Sequence, residues 1–173
     1  MKFIALALIV AASMTAQQSD AQLHADVLTL VQLEGSKQRI ESNLKQVVDR
    51  GVAEMAKVSS PCNAAFAAEW SKRMLARINA DDFVAVEIAA YERHFSDADV
   101  KELTALLKKQ TESPGTAVPS PQLQQKLESV LPSVQSEIIG GTTQIGAKLG
   151  AEIGQEIQKE HPEYCSEASA PKK

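Results

Sequence analysis

Residues Ser120–Lys159 read SPQLQQKLESVLPSVQSEIIGGTTQIGAKLGAEIGQEIQK. Leu123, Leu127, Leu131, Val134, Ile138, Ile145, Leu149, Ile153 and Ile157 recur at steps of three, four or seven. That spacing places them on one face of a helix and predicts a face turned to a core. Ser120 offers an N-cap oxygen and Pro121 the fixed φ suited to a first helical residue. Pro132 and the pair Gly140-Gly141 are the two points at which so long a helix is expected to weaken or bend.

The same stretch holds Gly146, Gly150 and Gly154, three glycines four residues apart. Each costs about 1 kcal/mol against alanine inside a helix in water. A stripe of them therefore implies an offsetting close approach that a side chain would block. A neighbouring element of the same bundle, a second copy of the chain in a homo-oligomer, and a membrane surface are the three candidates for what approaches. Lys148, Glu152 and Glu156 in the same stretch exclude a transmembrane span, since a charged residue costs about 2.5–3.5 kcal/mol at a bilayer centre. The polar face is not rich in Lys or Arg, which disfavours a membrane-surface helix.

The other segments repeat the helical period. A short helix is expected from His24 to Leu33, ending near Gly35. A second runs from Ser36, its N-cap, to Val58 with Ile40, Leu44, Val47, Val48, Val52 and Met55 facing inward, and Ser59-Ser60-Pro61 stops it. A third spans Asn63–Ile78 with Phe66, Trp70, Met74 and Ile78 on one stripe. After a turn at Asn79-Ala80-Asp81, a fourth spans Asp82–His94. Ser96 and Asp99 have the spacing of a capping box, opening a fifth helix. Ser113–Pro121, with three prolines and a glycine, is a loop. No strand pattern and no long repeat is present. The fold class is all-α: one bundle-like domain of five or six helices with a long kinked C-terminal helix.

Lys2 followed by Phe3–Ala12 has the layout of a secretory signal. The apolar run is shorter than the 20 or so residues that a bilayer demands. Ser19 and Ala21 supply the small residues of a cleavage site before Gln22. The expected organisation is a signal peptide over 1–21, a helical domain over 22–162 and a polar tail over 163–173. The expected location is periplasmic or extracellular. Cys62 and Cys165 are the only cysteines; an even count in an exported chain predicts a disulfide between them.

Composition excludes some functions. The net charge is −4 and Lys and Arg are dispersed, so nucleic-acid binding has no electrostatic footprint. The chain has no H-E-x-x-H, no G-x-S-x-G, no phosphate-binding glycine loop and no C-x-x-C. The three histidines, His24, His94 and His161, are far apart. Glu160, His161 and Glu163 form a weak candidate for metal, outweighed by a solvated tail. His94 suits the dipole at a helix C-terminus. Phe66, Trp70, Tyr91 and Phe95 read as core. No catalytic residue, metal site or cofactor is expected.

Tyr91-Glu-Arg-His-Phe95-Ser96-Asp-Ala-Asp99-Val100, with Leu103, Leu106 and Ser113-Pro114-Gly115, resembles the conserved stretch of a bacterial exported family, domain of unknown function 2059. Gln125-Lys126-Leu127 and Pro132 are similar to its later part, and the likeness covers about residues 87–157. Lys109-Gln110 stands where the family has an aromatic pair, and Thr116–Pro121 extends the turn. The resemblance implies a helical exported protein and structural roles for Tyr91, Phe95, Ser96, Asp99, Pro114, Gly115 and Pro132. It transfers no catalytic residue. The expected function is non-enzymatic binding or structural support, with partners unassigned. The alternatives are an envelope lipid- or cell-wall-associated protein acting through its last helix, and an enzyme of unrecognised type.

Overall fold

A computed structural model describes residues 20–57 and 62–165. Residues 1–19 of the segment read as a signal, the expected stop at Ser59–Pro61 and the tail from residue 166 lie outside the described residues. The described chain is all-α: α1 (residues 20–33), α2 (Ser36–Lys57), α3 (Ala64–Arg77), α4 (Ala80–His94), α5 (Asp97–Glu112), α6 (Pro121–Glu160) and a 3₁₀ turn (Pro162–Cys165). No strand occurs among the described residues.

The helices sort into two compact units. One comprises residues up to Ser36 and Val84–Ile138; the other comprises Lys37–Phe83 and the chain from Ile139 onward. The first unit has a core of Val27, Leu30, Val31, Ala90, Phe95, Val100 and Val134. Leu23, Tyr91, Leu103, Leu127 and Val130 pack around it. The second has Val48, Phe66, Met74, Ile153 and Ile157 at its centre, with Met55, Trp70, Leu149, Tyr164 and both cysteines against them.

Local chemistry explains the boundaries. Gly35 adopts φ +65°, the left-handed turn that separates α1 from α2. Asn63 caps α3, its Oδ1 accepting from the N–H groups of Ala65 and Phe66 at 3.0 and 3.1 Å. Asn79 Oδ1 accepts from the Asp81 N–H at the start of α4. Ser120 Oγ accepts from the Leu123 N–H at 3.2 Å, as expected of the N-cap of α6.

Two inward-facing assignments need correction. Leu131 is 38% exposed, and Val130 packs on the core in its place. The inward positions of this part of α6 are thus Leu123, Leu127, Val130, Val134 and Ile138, because 3.6 residues per turn makes the stripe step by three as well as by four. Val47 likewise faces solvent beside the fully buried Val48. Ser36 is buried and its hydroxyl donates to Glu87 Oε1 at 3.1 Å. Pro132 lies inside α6, and the helix continues through it.

Candidate functional site

The residues that carry the family resemblance converge in the first unit. Ser96 and Asp99 form the complete capping box: each accepts from the other's backbone N–H, at 2.8 and 3.4 Å. The Ser96 hydroxyl also donates to Asp99 Oδ2 at 2.6 Å, and Lys126 Nζ reaches the same oxygen at 2.5 Å from α6. Burial works against the charge on Asp99, yet Lys126 and the Ser96 donors outweigh it and hold the carboxyl below its usual range. The Lys126 ammonium also stands 5.8 Å from the centre of the buried Phe95 ring. Phe95 meets Tyr91 with ring centres 5.7 Å apart, and the Tyr91 hydroxyl donates to the Glu34 carboxylate at the end of α1. Gly115 takes φ +84°, and its N–H donates to Gln110 Oε1 at 3.3 Å.

This arrangement is a clamp. One carboxylate oxygen gathers three donors, two from Ser96 at the cap of α5 and one from Lys126 on α6.

Other ionic groups in this unit also join helices. His94 Nε2 and Glu137 Oε1 are 2.8 Å apart, and Arg93 pairs with the same carboxylate. His94 chiefly, with Arg93 and against burial, lowers the Glu137 carboxyl. His24 and Glu92 stand 2.5 Å apart, beside an open depression of about 380 Å³ lined by Asp20, Leu23, His24 and Glu92. Lys101 bridges Asp97 at 2.8 Å and Asp26 at 3.6 Å.

In the second unit the cysteines are joined: Cys62 and Cys165 form a disulfide. Next to it the Asn63 N–H donates to the Tyr164 carbonyl at 2.8 Å. Tyr164 and Cys165, assigned from sequence to a polar tail, therefore pack against this unit's core. Glu160, His161 and Glu163 do not assemble a metal site. Glu160 pairs with Arg73 at 2.6 Å, while His161 stacks on Tyr164. Among the described residues no group of three or more His, Cys, Asp and Glu side chains is placed to hold a metal ion.

The glycine stripe divides. Gly150 lies against Trp70, whose indole N–H donates to the Gly150 carbonyl at 3.0 Å. A Cβ on Gly154 would stand 3.8 Å from Phe66, whereas one on Gly146 would meet nothing within 4 Å. Close packing thus holds at Gly150, is slight at Gly154 and is absent at Gly146. The approaching group is an aromatic side chain, not a helix backbone. Sequence reasoning missed Gly51, which bears on the same indole, and the glutamates Glu34, Glu87, Glu102 and Glu137. The glutamates' partners lie 18 to 57 residues away, so no local spacing marks them.

No helix among the described residues is long and apolar enough to cross a membrane. No family model, curated protein or solved structure compared with this chain matches it.

Proposed function

We propose that this chain is an exported helical protein, working in the periplasm or outside the cell, whose role is binding or structural support. The observation that carries the location is the Cys62–Cys165 disulfide. Such bonds persist in oxidising compartments and are rare where thiols are kept reduced. The role draws support from the clamp at Phe95, Ser96, Asp99 and Lys126, where the residues of the family resemblance hold helices together. Membership of domain of unknown function 2059 is part of this reading.

Acid-trapped thiol alkylation in intact bacteria tests it. The full chain is expected to carry an intact disulfide in the periplasmic fraction, and a version starting at Gln22 and kept in the cytoplasm is expected to have free thiols. Free thiols in both would overturn the assigned location. A turnover abolished by changing one side chain would overturn the assigned role.

A second reading, contact with a lipid surface or cell wall through α6, draws on Ile139, which is 65% exposed on that helix. Co-sedimentation with anionic vesicles that Ile139→Ser abolishes would favour it; no co-sedimentation would remove it.

A further inference from the structure

We infer that Gln22 becomes a pyroglutamate in the mature protein, an N-terminal modification whose rate Asp26 controls. The inference rests on the processing reading above and deepens it. Asp20, Ala21 and Gln22 are all exposed, and Leu23 is the first described residue packed on the core. Among the described residues, a cut between Ala21 and Gln22 therefore removes only the exposed Asp20 and Ala21 and leaves glutamine at the chain start. An N-terminal glutamine carries its own electrophile. The neutral α-amine adds to the side-chain carbonyl carbon Cδ, the Cδ–Nε2 bond breaks, and Nε2 departs as ammonia with a proton from the amine. The product is a five-membered lactam, and no oxidant or second substrate is consumed. An α-amine with its ordinary pKa of about 8 is neutral in roughly a tenth of molecules near pH 7, which suffices for a slow first-order closure.

The fold supplies both a drive and a brake. The drive is electrostatic. A charged amine at the first residue of α1 would sit at the positive end of the helix dipole, and the lactam removes that charge. The brake is geometric. Gln22 Nε2 donates to Asp26 Oδ2 at 3.1 Å, which draws the amide one turn along the helix, away from the amine it must meet. The Asp26 carboxylate is an effective acceptor because its charge is held in place. Gln22, the adjacent Asp97 and, against burial, Lys101 keep its carboxyl below the usual range.

The test is N-terminal peptide mass spectrometry of the full chain after export, followed over days at neutral pH. The expected N-terminal peptide begins at residue 22, is one ammonia lighter than the glutamine form and resists Edman degradation. Asp26→Ala is expected to close about two- to fivefold faster, the lower part of what one net hydrogen bond is worth. Gln22→Glu is expected to keep a free amine. A free Gln22 that persists in both wild type and Asp26→Ala would overturn the modification and leave the processing reading intact. An unchanged rate in Asp26→Ala would overturn the role of Asp26. An N-terminus at any other residue would overturn the processing reading together with this one.

Discussion

The indole of Trp70 is fitted to Gly150: its Nε1–H donates to the glycine's carbonyl at 3.0 Å, and a Cβ there would stand only 3.1 Å from ring carbon Cζ2. A Cβ on Gly51 would meet the same ring at 3.2 Å. Two glycines of one unit thus serve one side chain, and their cost in helix propensity is offset by an aromatic ring placed where a methyl group would intrude.

This makes the glycines unequal under substitution. Gly140→Ala and Gly146→Ala add a methyl group to open space and are expected to stabilise by up to about 1 kcal/mol. Gly150→Ala should lose that gain, because the Trp70 ring must shift. Gly150→Leu should destabilise by about 1–3 kcal/mol through overpacking. Urea midpoints for the four variants test the order. A Gly150→Leu protein as stable as wild type would refute the fit.

Removing the disulfide should be the costliest single change. The bond joins residues 103 positions apart, for which the chain-entropy treatment gives about 4.7 kcal/mol. The Cys62→Ala, Cys165→Ala double variant should therefore unfold at much lower denaturant. Its loss should also release the 3₁₀ turn that carries Tyr164. Hydrogen exchange at the Asn63 amide, which donates to Tyr164, is expected to rise with it. Protection unchanged at that amide would show that the turn holds without the bond.

The clamp at Asp99 predicts a pH dependence with a definite sign. The folded carboxyl titrates below its unfolded value, which is about 3.9. Its contribution is therefore present in full above that value and is lost as pH falls through the folded one. Asp99→Asn should be less stable than wild type at neutral pH, and the gap should close in acid. Ser96→Ala, which removes the cap oxygen and the donor to Oδ2, should cost about 1 kcal/mol. A constant gap between wild type and Asp99→Asn from neutral to acid pH would show that the carboxylate's charge does not stabilise the fold.

Much of this plan was legible from local signals, and the parts that were not share a physical cause. Helix limits followed from Ser96, Ser120, Gly35 and Pro121, whose capping and turning act over a few residues. The disulfide followed from having only two cysteines. What stayed hidden depends on long-range partners. Glu102 accepts from both the N–H and the hydroxyl of Ser120, yet nothing near Glu102 distinguishes it from a solvated carboxylate. Gly150 was legible as a close contact, but Trp70 as its occupant was not, because an 80-residue separation leaves no periodicity to read. The slip at Leu131 and Val130 is subtler, since both steps fit a helix and only packing decides between them.

The ion pairs of α3 give the last prediction. Arg73 reaches Glu69 at 2.8 Å and Glu160 at 2.6 Å, and Arg77 reaches Glu156 at 2.7 Å. Arg73 is the main cause that lowers the carboxyls of both Glu69 and Glu160. Depressed carboxyls contribute above their unfolded pKa of about 4.3 and lose that contribution as pH falls through the folded values. These groups lie at the surface, where salt screens their attraction and each pair contributes little alone. Arg73→Met should accordingly lower the urea midpoint slightly at low salt. That difference should shrink both in concentrated salt and below about pH 4. Arg73 is the better probe of the two arginines because its side chain is only 20% exposed, against 39% for Arg77; salt should therefore erase the Arg77→Met effect first. A deficit in Arg73→Met that neither salt nor acid reduces would show that attraction to these carboxylates is not what Arg73 contributes.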